Sequence, residues 1–370
     1  MKDRLRQDLL DLMMIPGLSG HEGRVRRAIG ARLNGAARTD RLGNLIATFP
    51  GTGPSVMLFT HMDQLGFFVR KIEDNGTVRV VRMGGVPERA LASQAVTLCV
   101  AEGQDVPGII ANKSHHATSP DEKYEVLKTA DLLIDTGHRS MAEVAAAGIQ
   151  IGTPVVYRAQ ALELAAGRIV GTSVDDRAGC AVLLEVARAL QDREDGPTVH
   201  IVFSVQEEFN LRGALSAAQA LQPDIAIQID LMLASDTPEA ADLGEMHLGQ
   251  GPGMSLYSFH GRGTLNGVIP HPAMVALFEQ TAAAQGLTLQ RSAQVGVLTD
   301  LSYVQHVGAG VAAVDLGFPM RYSHSSLEMC DLSDLVDLTQ LLVAGLARID
   351  PDFSLNPDGV PVEAAGLEEE

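Results

Sequence analysis

Tryptophan is absent from the 370 residues, and aromatic side chains make up only 4% of them. With 46% hydrophobic residues a sizeable core is available, but it has to be aliphatic. Cysteine is almost as scarce. Cys99, Cys180 and Cys330 are odd in number, far apart and without a CxxC pair. That pattern speaks against a disulfide framework and for a reducing compartment. Cys180 lies in an apolar helical run and reads as a small buried hydrophobe. Positive charge is in deficit: 28 Lys and Arg stand against 46 Asp and Glu, a formal net charge of −18. Such a chain repels phosphates and anionic lipid, so neither nucleic acid nor a membrane surface is an expected partner. Also missing is any run of about 18 apolar residues that could span a bilayer. Met1-Lys2-Asp3-Arg4 leads into an amphipathic helix and not into the apolar stretch of a signal peptide. The expected location is cytoplasmic.

At roughly 150 residues per domain, the length allows two domains, or one large domain with an insertion. Residues 3–14 carry a helical stripe of Leu5, Leu9, Leu10, Leu12 and Met13, broken by residues 16–20 (PGLSG). A second helix is predicted through Val25, Ile29 and Leu33. Residues 40–50 alternate like a strand. Residues 55–60 (SVMLFT) form a nearly continuous apolar run typical of a buried central strand, ending at His61. From about Gly66 to Arg168 the texture changes to short β-rich segments and turns, with Asn75-Gly76 as a hairpin signal. The α/β alternation then resumes. A helix follows Asp175-Asp176, and residues 198–205 (TVHIVFSV) run to Gln206-Glu207-Glu208. A helix spans 213–221, residues 224–229 (DIAIQI) end at Asp230, residues 311–317 lead to His324, and a helix closes at 332–349. The predicted fold is therefore an α/β/α sandwich, residues 1–67 and 167–350, interrupted by a small β-barrel-like domain at 68–166. A polar, acidic tail over 351–370 is expected to fray.

His61, Asp175, Glu207, Glu208, Asp230 and His324 all fall at predicted strand ends or in the loops that follow, the edge at which open α/β sheets bind ligands. Each has a plainer explanation when taken alone. A lone His61 is a hydrogen-bonded core residue, although Asp63 two residues on can orient its imidazole. Asp175-Asp176 is a helix N-cap. Glu207-Glu208 is harder to explain so, because adjacent carboxylates at a buried edge repel unless a cation neutralises them. Asp230 at the end of an apolar strand would be costly unpaired. Together the set offers two imidazoles and three carboxylates with no thiolate, which suits zinc, cobalt or manganese. If one carboxylate bridges, each of two ions takes one His and one further carboxylate. That is the stoichiometry of a dinuclear hydrolytic site, and it leaves Glu207 as a free base.

Six stretches carry a resemblance across about residues 5–350. They are residues 17–22 (GLSGHE), 40–47 (DRLGNLIA), 61–67 (HMDQLGF), 171–180 (GTSVDDRAGC), 205–214 (VQEEFNLRGA) and 321–328 (RYSHSSLE). In these the chain resembles the dinuclear metallo-aminopeptidases that include glutamyl aminopeptidase and the tetrahedral aminopeptidases, some of which carry an endoglucanase label. The resemblance implies that His61 and Asp230 hold one divalent ion, Glu208 and His324 the other, and that Asp175 bridges them. It further implies Glu207 as general base, Asp63 as a supporting carboxylate, a cis peptide between Asp175 and Asp176, and a role for the insert in homo-oligomers from dimer to dodecamer. The implied cofactors are two divalent ions per subunit, zinc or cobalt, with manganese as a third option. The implied substrates are short peptides.

The chain departs from the family at three places near these residues. Phe209-Asn210 stands where a Val-Gly pair is frequent, and Leu231-Met232 where Val-Thr is. Residues 295–298 (VGVL) replace a Gly-rich stretch before Thr299-Asp300. These changes bear on substrate preference. An amidase or deacylase acting on a non-peptide amide is the alternative within hydrolases, and a non-catalytic oligomeric scaffold the alternative outside them. A scaffold has no use for a free base at Glu207. A glycosidase needs two carboxylates with separate roles about 5–9.5 Å apart, whereas here the metal reading absorbs them.

Overall fold

The computed structural model describes residues 1–33, 37–191, 193, 195–261, 263 and 265–358. The end of the acidic tail, residues 359–370, lies outside them. Helices α1 (Lys2–Met13) and α2 (Gly23–Arg32) open the chain, followed by β1 (Ala37–Thr39), β2 (Leu45–Phe49) and β3 (Ser55–His61). The i, i+4, i+7 stripe Leu5, Leu9, Leu12 is buried, as an amphipathic helix on a sheet requires. In β3 the side chains alternate between two cores: Val56 and Leu58 join one, Met57 and Phe59 the other. Both faces of the strand are covered, which is why its sequence is apolar throughout.

Six strands then form a closed barrel: β4 (Gly66–Ile72), β5 (Val78–Met83), β6 (Ala95–Leu98), β7 (Val106–Ile110), β8 (Leu133–Asp135) and β9 (Pro154–Tyr157). Helix α3 (Met141–Ala146) lies between the last two. The strand order around the barrel is β4-β5-β8-β7-β6-β9. Phe67 and Val69, and Val78 and Val80, point inward at period two and share a core with Leu98, Ile134 and Val155. The predicted hairpin is present between β4 and β5, with Gly76 at φ 86°.

Beyond the barrel come β10 (Ala161–Glu163), β11 (Arg168–Gly171), α4 (Val174–Gln191), β12 (Thr198–Ser204), α5 (Gly213–Leu221) and β13 (Ile225–Leu233). They are followed by β14 (Gly253–Phe259), β15 (Gly267–Val268), α6 (Pro272–Gln285), β16 (Gln290–Val295) and α7 (Leu301–Val304). The last elements are β17 (Ala312–Met320), β18 (Glu328–Asp331) and α8 (Leu332–Leu346). The main sheet runs β1-β2-β12-β3-β13-β17-β14-β15, with β16 also pairing β14. Its centre, β12-β3-β13-β17, is parallel. α4 packs on β3 and β13 from one side, and α5 on β12 and β3 from the other. The protein is thus an α/β/α sandwich with a β-barrel inserted between β3 and the second half of the same sheet. Among the described residues no helix is long and apolar enough to cross a membrane.

Two expectations need correction. The strand expected to end at Asp230 continues to Leu233, and the strand expected to end at Gly317 continues to Met320. The cause is mutual pairing: Leu231, Met232 and Leu233 find Phe318, Pro319 and Met320 in register, so neither backbone has reason to stop. Asp230 therefore projects from within a strand. The elements of residues 250–305 were also not anticipated. Polar positions in β14 and β16 (Ser255, Ser258, Ser292, Gln294) obscure the apolar pattern there.

Candidate metal centre

The site lies at the carboxyl edge of the parallel strands. β3 ends on His61, and the turn after β12 carries Glu207 and Glu208. β13 presents Asp230, α4 begins around Asp175, and the loop after β17 brings His324. All five residues expected as metal ligands, and Glu207, line one pocket. The Asp175 carboxylate lies between the two imidazoles: Oδ1 is 2.9 Å from His61 Nε2 and Oδ2 is 3.6 Å from His324 Nε2. His324 Nε2 is also 3.9 Å from Glu208 Oε2. The Asp175–Asp176 peptide is cis.

Two groups of side chains each bring donor atoms within 4.8 Å of one another: His61, Asp176 and Asp230, and Asp175, Glu208 and His324. Asp176 is not among the expected ligands. Its oxygens are already engaged, Oδ2 by the Thr60 hydroxyl and Oδ1 by the Gly179 N–H at 2.9 Å. Asp230 Oδ2 receives Gln228 Nε2 at 3.0 Å and Oδ1 receives the Leu231 N–H at 2.7 Å.

Asp63, expected as a support, holds three segments together. Its Oδ1 accepts the Glu207 N–H at 3.0 Å, and its Oδ2 accepts the Glu208 N–H at 3.1 Å and the Ser19 hydroxyl at 2.6 Å. Its Oδ1 also lies 3.4 Å from His61 Nδ1. Glu328 does the same on the other side, accepting the N–H groups of Asp175 and His324 at 3.0 and 2.8 Å. Glu22 takes the Gln206 N–H at 3.1 Å. Residue type alone gives no role to Glu328 or Glu22, and marks Asp176 only as part of a helix N-cap. Glu22 and Glu328 each close a stretch quoted for the resemblance, which is the one signal that could have found them.

These carboxylates are short of positive charge. Burial, and then the charge of Asp175, pushes Asp230 up to about 7. Burial likewise holds Glu207 and Glu208 well above the usual carboxylate range, reinforced by neighbouring acids. Burial works against a charged His61, but the carboxylates of Asp175 and Asp63 outweigh it and raise its pKa well above the ordinary value. Glu208 Oε1 is buried with no hydrogen-bond partner. An orphaned carboxylate oxygen, two imidazoles and a crowd of acids form the donor set a divalent cation satisfies, so these residues fit metal ions.

Gly85, from the barrel, closes one side. His324 Nδ1 lies 3.1 Å from its carbonyl oxygen, and a Cβ at Gly85 would come within 2.7 Å of the same nitrogen. Of the divergent residues, Asn210, Leu231, Gly296, Val297 and Leu298 line the pocket. Phe209 is exposed beside Arg212, whose guanidinium carbon lies 5.6 Å from its ring centre, and Met232 is buried.

A doubly covered α/β sheet carries metal-competent residues at the edge where such sheets bind ligands, and comparison with known proteins puts the chain among the aminopeptidases, which are hydrolases. The chain belongs to the M42 glutamyl aminopeptidase family, whose sequence model matches residues 43–341. SgcX of Escherichia coli (strain K12) is 36% identical over 367 residues, 98% of each chain. The aminopeptidase APDkam598 of the archaeon Desulfurococcus kamchatkensis superposes with a TM-score of 0.89 at 30% identity, over 98% of this chain and 99% of that one. The Pyrococcus horikoshii TET1 peptidase, described as assembling into a tetrahedron or a large octahedral shell, gives 0.83 at 28% identity, over 92% and 99%.

Proposed function

We propose that the protein is a metal-dependent aminopeptidase that removes N-terminal residues from short peptides, with Glu207 as its general base. His61 and Asp230 would hold one divalent ion, Glu208 and His324 a second, and Asp175 both; zinc or cobalt suits the donors best, and manganese is the third option. The observation that carries this reading is the Asp175 carboxylate lying between His61 and His324, with Glu207 beside it. Such ions, when bound, polarise the scissile carbonyl and acidify a water. Glu207 takes the proton from the attacking water on its carboxylate and returns it to the leaving amine nitrogen. Its backbone is fixed by Asp63, which keeps the carboxylate aimed into the pocket. Burial favours a proton on Glu207, so the carboxylate binds the transferred proton readily. The carboxylate-rich pocket also suits the free ammonium group of a peptide N-terminus.

The domain limits 1–67 with 167–350, and 68–166 for the insert, belong to the same proposal, as does a cytoplasmic location. The insert would make the subunit contacts. In support, Ile109, Tyr124, Val126 and Ile151 of that region are large, apolar and exposed.

The test pairs a free-amine substrate with its N-acetylated twin, assayed with zinc, cobalt and manganese, in the native chain and in Glu207→Gln. Cleavage of the free-amine substrate should fall by about 10²–10⁴-fold in the variant with metal content retained. Faster cleavage of the acetylated substrate, or near-native kcat in the variant, overturns the proposal.

A further inference from the structure

Beside the metal-competent residues a small cavity lies between β13, β14, β16 and β17. It shares Asp230, Leu231, Val297 and Thr299 with the site pocket, so the two are contiguous. The centre of a water molecule can occupy about 20 Å³ of it, room for a single small occupant. Its polar lining is built by strand register. β14 pairs β16 with Ser255 opposite Ser292, and the register slips between Ser255 and Tyr257. In a regular strand Ser255 and Ser258, three apart, would face opposite sides; the slip turns both toward the cavity. β17 places Asp315 opposite Ser255. Ser292, Ser255 and Asp315 thus form a row across three strands, with Ser258 one step further along.

The polar side chains around that space offer it oxygens and no positive charge. Among the described residues no Lys, Arg or His lines it. Its one side-chain nitrogen, Gln294 Nε2, is engaged by the Leu233 carbonyl oxygen at 3.4 Å. Asp315 is buried and is held by the Thr299 hydroxyl, at 3.2 and 3.3 Å from its two oxygens. Ser258 is 4% exposed, and its Oγ has no hydrogen-bond partner. Burial, reinforced by the charge of Asp230, pushes Asp315 up to about 8, the response of a carboxyl without a cation. A water molecule would fit the space and meet Ser258, but it brings no charge to Asp315.

We propose that this cavity holds one dehydrated alkali cation, sodium or potassium, carried by the Asp315 carboxylate and the hydroxyls of Ser255, Ser258, Ser292 and Thr299. Hard oxygen donors suit such an ion, and soft or imidazole donors are missing from the lining. One floor carboxylate balances a single charge. A divalent ion would bring one charge too many, and magnesium keeps several waters for which the space has no room. The opening toward the site pocket gives the ion a way in. Once seated, it ties β17 to β14 and β16 beside the edge that carries Asp230. Asp315 pairs with Gln228 on β13, and Gln228 Nε2 holds Asp230 Oδ2 at 3.0 Å. The alkali cation therefore braces the strands from which one of the metal-competent carboxylates projects.

The experiment melts the full-length, zinc-loaded protein in sodium, potassium, caesium or choline chloride. Ionic strength is held fixed, so that screening of the acidic surface is the same throughout. A ligand at about a hundred times its Kd raises Tm by about 3 °C at this size. Sodium or potassium should therefore raise Tm by at least about 3 °C over choline, and the rise should saturate. Caesium, too large for a one-water space, should behave like choline. Asp315→Asn should abolish the rise. Ser258→Ala should move its midpoint to at least about tenfold higher salt, as expected on losing one contact to a charged group. If Asp315→Asn does not fold, Ser258→Ala decides. A site that holds only water gives one Tm in all four salts, and that result overturns the inference. So does a rise that caesium matches, or one that persists unchanged in a folded variant. None of these outcomes touches the aminopeptidase reading, which the free-amine and acetylated substrates test by themselves.

Discussion

Glu328 receives the backbone N–H of Asp175 at 3.0 Å on one carboxylate oxygen, while its other oxygen receives that of His324 at 2.8 Å. Asp63 holds the N–H groups of Glu207 and Glu208 in the same way across the pocket. Two buried carboxylates thus fix the backbone of four residues that face the site, and neither needs to touch an ion to matter. Glu328→Ala removes both acceptors. Metal affinity should fall by about 10–100-fold, the usual effect of losing a group that orients ligands. Calorimetric titration of zinc or cobalt into the metal-free variant measures it, and native affinity would contradict the role.

Arg177 is the largest side chain among those fully buried. Its guanidinium donates to the Met62 carbonyl oxygen and, at 3.4 Å each, to Ile15 O and Gln64 Oε1, tying the first loop of the chain to the segment after His61. Arg177→Met keeps much of the volume but removes the guanidinium from the buried Met62 and Ile15 carbonyl oxygens, while Gln64 Oε1 keeps the Gly17 N–H at 2.9 Å. A loss of about 2–5 kcal/mol is expected from buried acceptors left unpaired. Urea unfolding of the metal-loaded protein checks it, and a midpoint within error of the native chain would refute it.

How far the sequence could be read follows from where its pattern is simple. Residues 55–60 are apolar throughout because both faces of β3 are covered, so the strand and the exposed edge at His61 were legible together. The same holds for β12 with Glu207 and Glu208. The barrel was legible from period-two runs such as Val78 and Val80. The region from 250 to 305 was not, because β14 turns serines toward a cavity and carries a register slip, which erases alternation. Glu328 supports the site through backbone groups, a contact that residue type does not announce.

The metal-free protein should lose stability as pH rises. Asp230 is pushed up to about 7, and Glu207 and Glu208 well above 4.5, so their folded values exceed the unfolded ones. Groups with a raised folded pKa contribute stability that is full below the unfolded value and is lost as pH climbs through the folded value. His61, also raised, acts in the same direction. Scanning Tm of chelator-treated protein from pH 5 to about 8 should show a fall of at least about 4 °C, which corresponds to about 3 kcal/mol at roughly 2.1 cal/mol/K per residue. Adding zinc or cobalt should abolish that slope, because a bound cation keeps the carboxylates ionised. A flat profile without metal would mean that the acids are neutralised by some other group.

Gly85 is the point where the barrel meets the metal-competent residues, and it separates their geometry from the stability of the fold. A Cβ there would meet only the His324 ring, at 2.7 Å from Nδ1 and 3.0 Å from Cε1, and no backbone. Its φ is not in the left-handed region, so alanine is conformationally tolerated. In Gly85→Ala the His324 ring has to swing away and gives up its contact with the Gly85 carbonyl oxygen, while β4, β5 and the sheet keep their packing. The displaced imidazole no longer stands beside Asp175 and Glu208. The expected result is a Tm within about 1 °C of native, a difference under about 1 kcal/mol at this size, together with loss of the ion assigned to Glu208 and His324. Turnover of a free-amine substrate should drop at least tenfold, about 1.4 kcal/mol of barrel-imposed positioning. Metal content by elemental analysis and a thermal melt on one preparation decide it. Native metal content with native turnover would show that the barrel does not constrain His324.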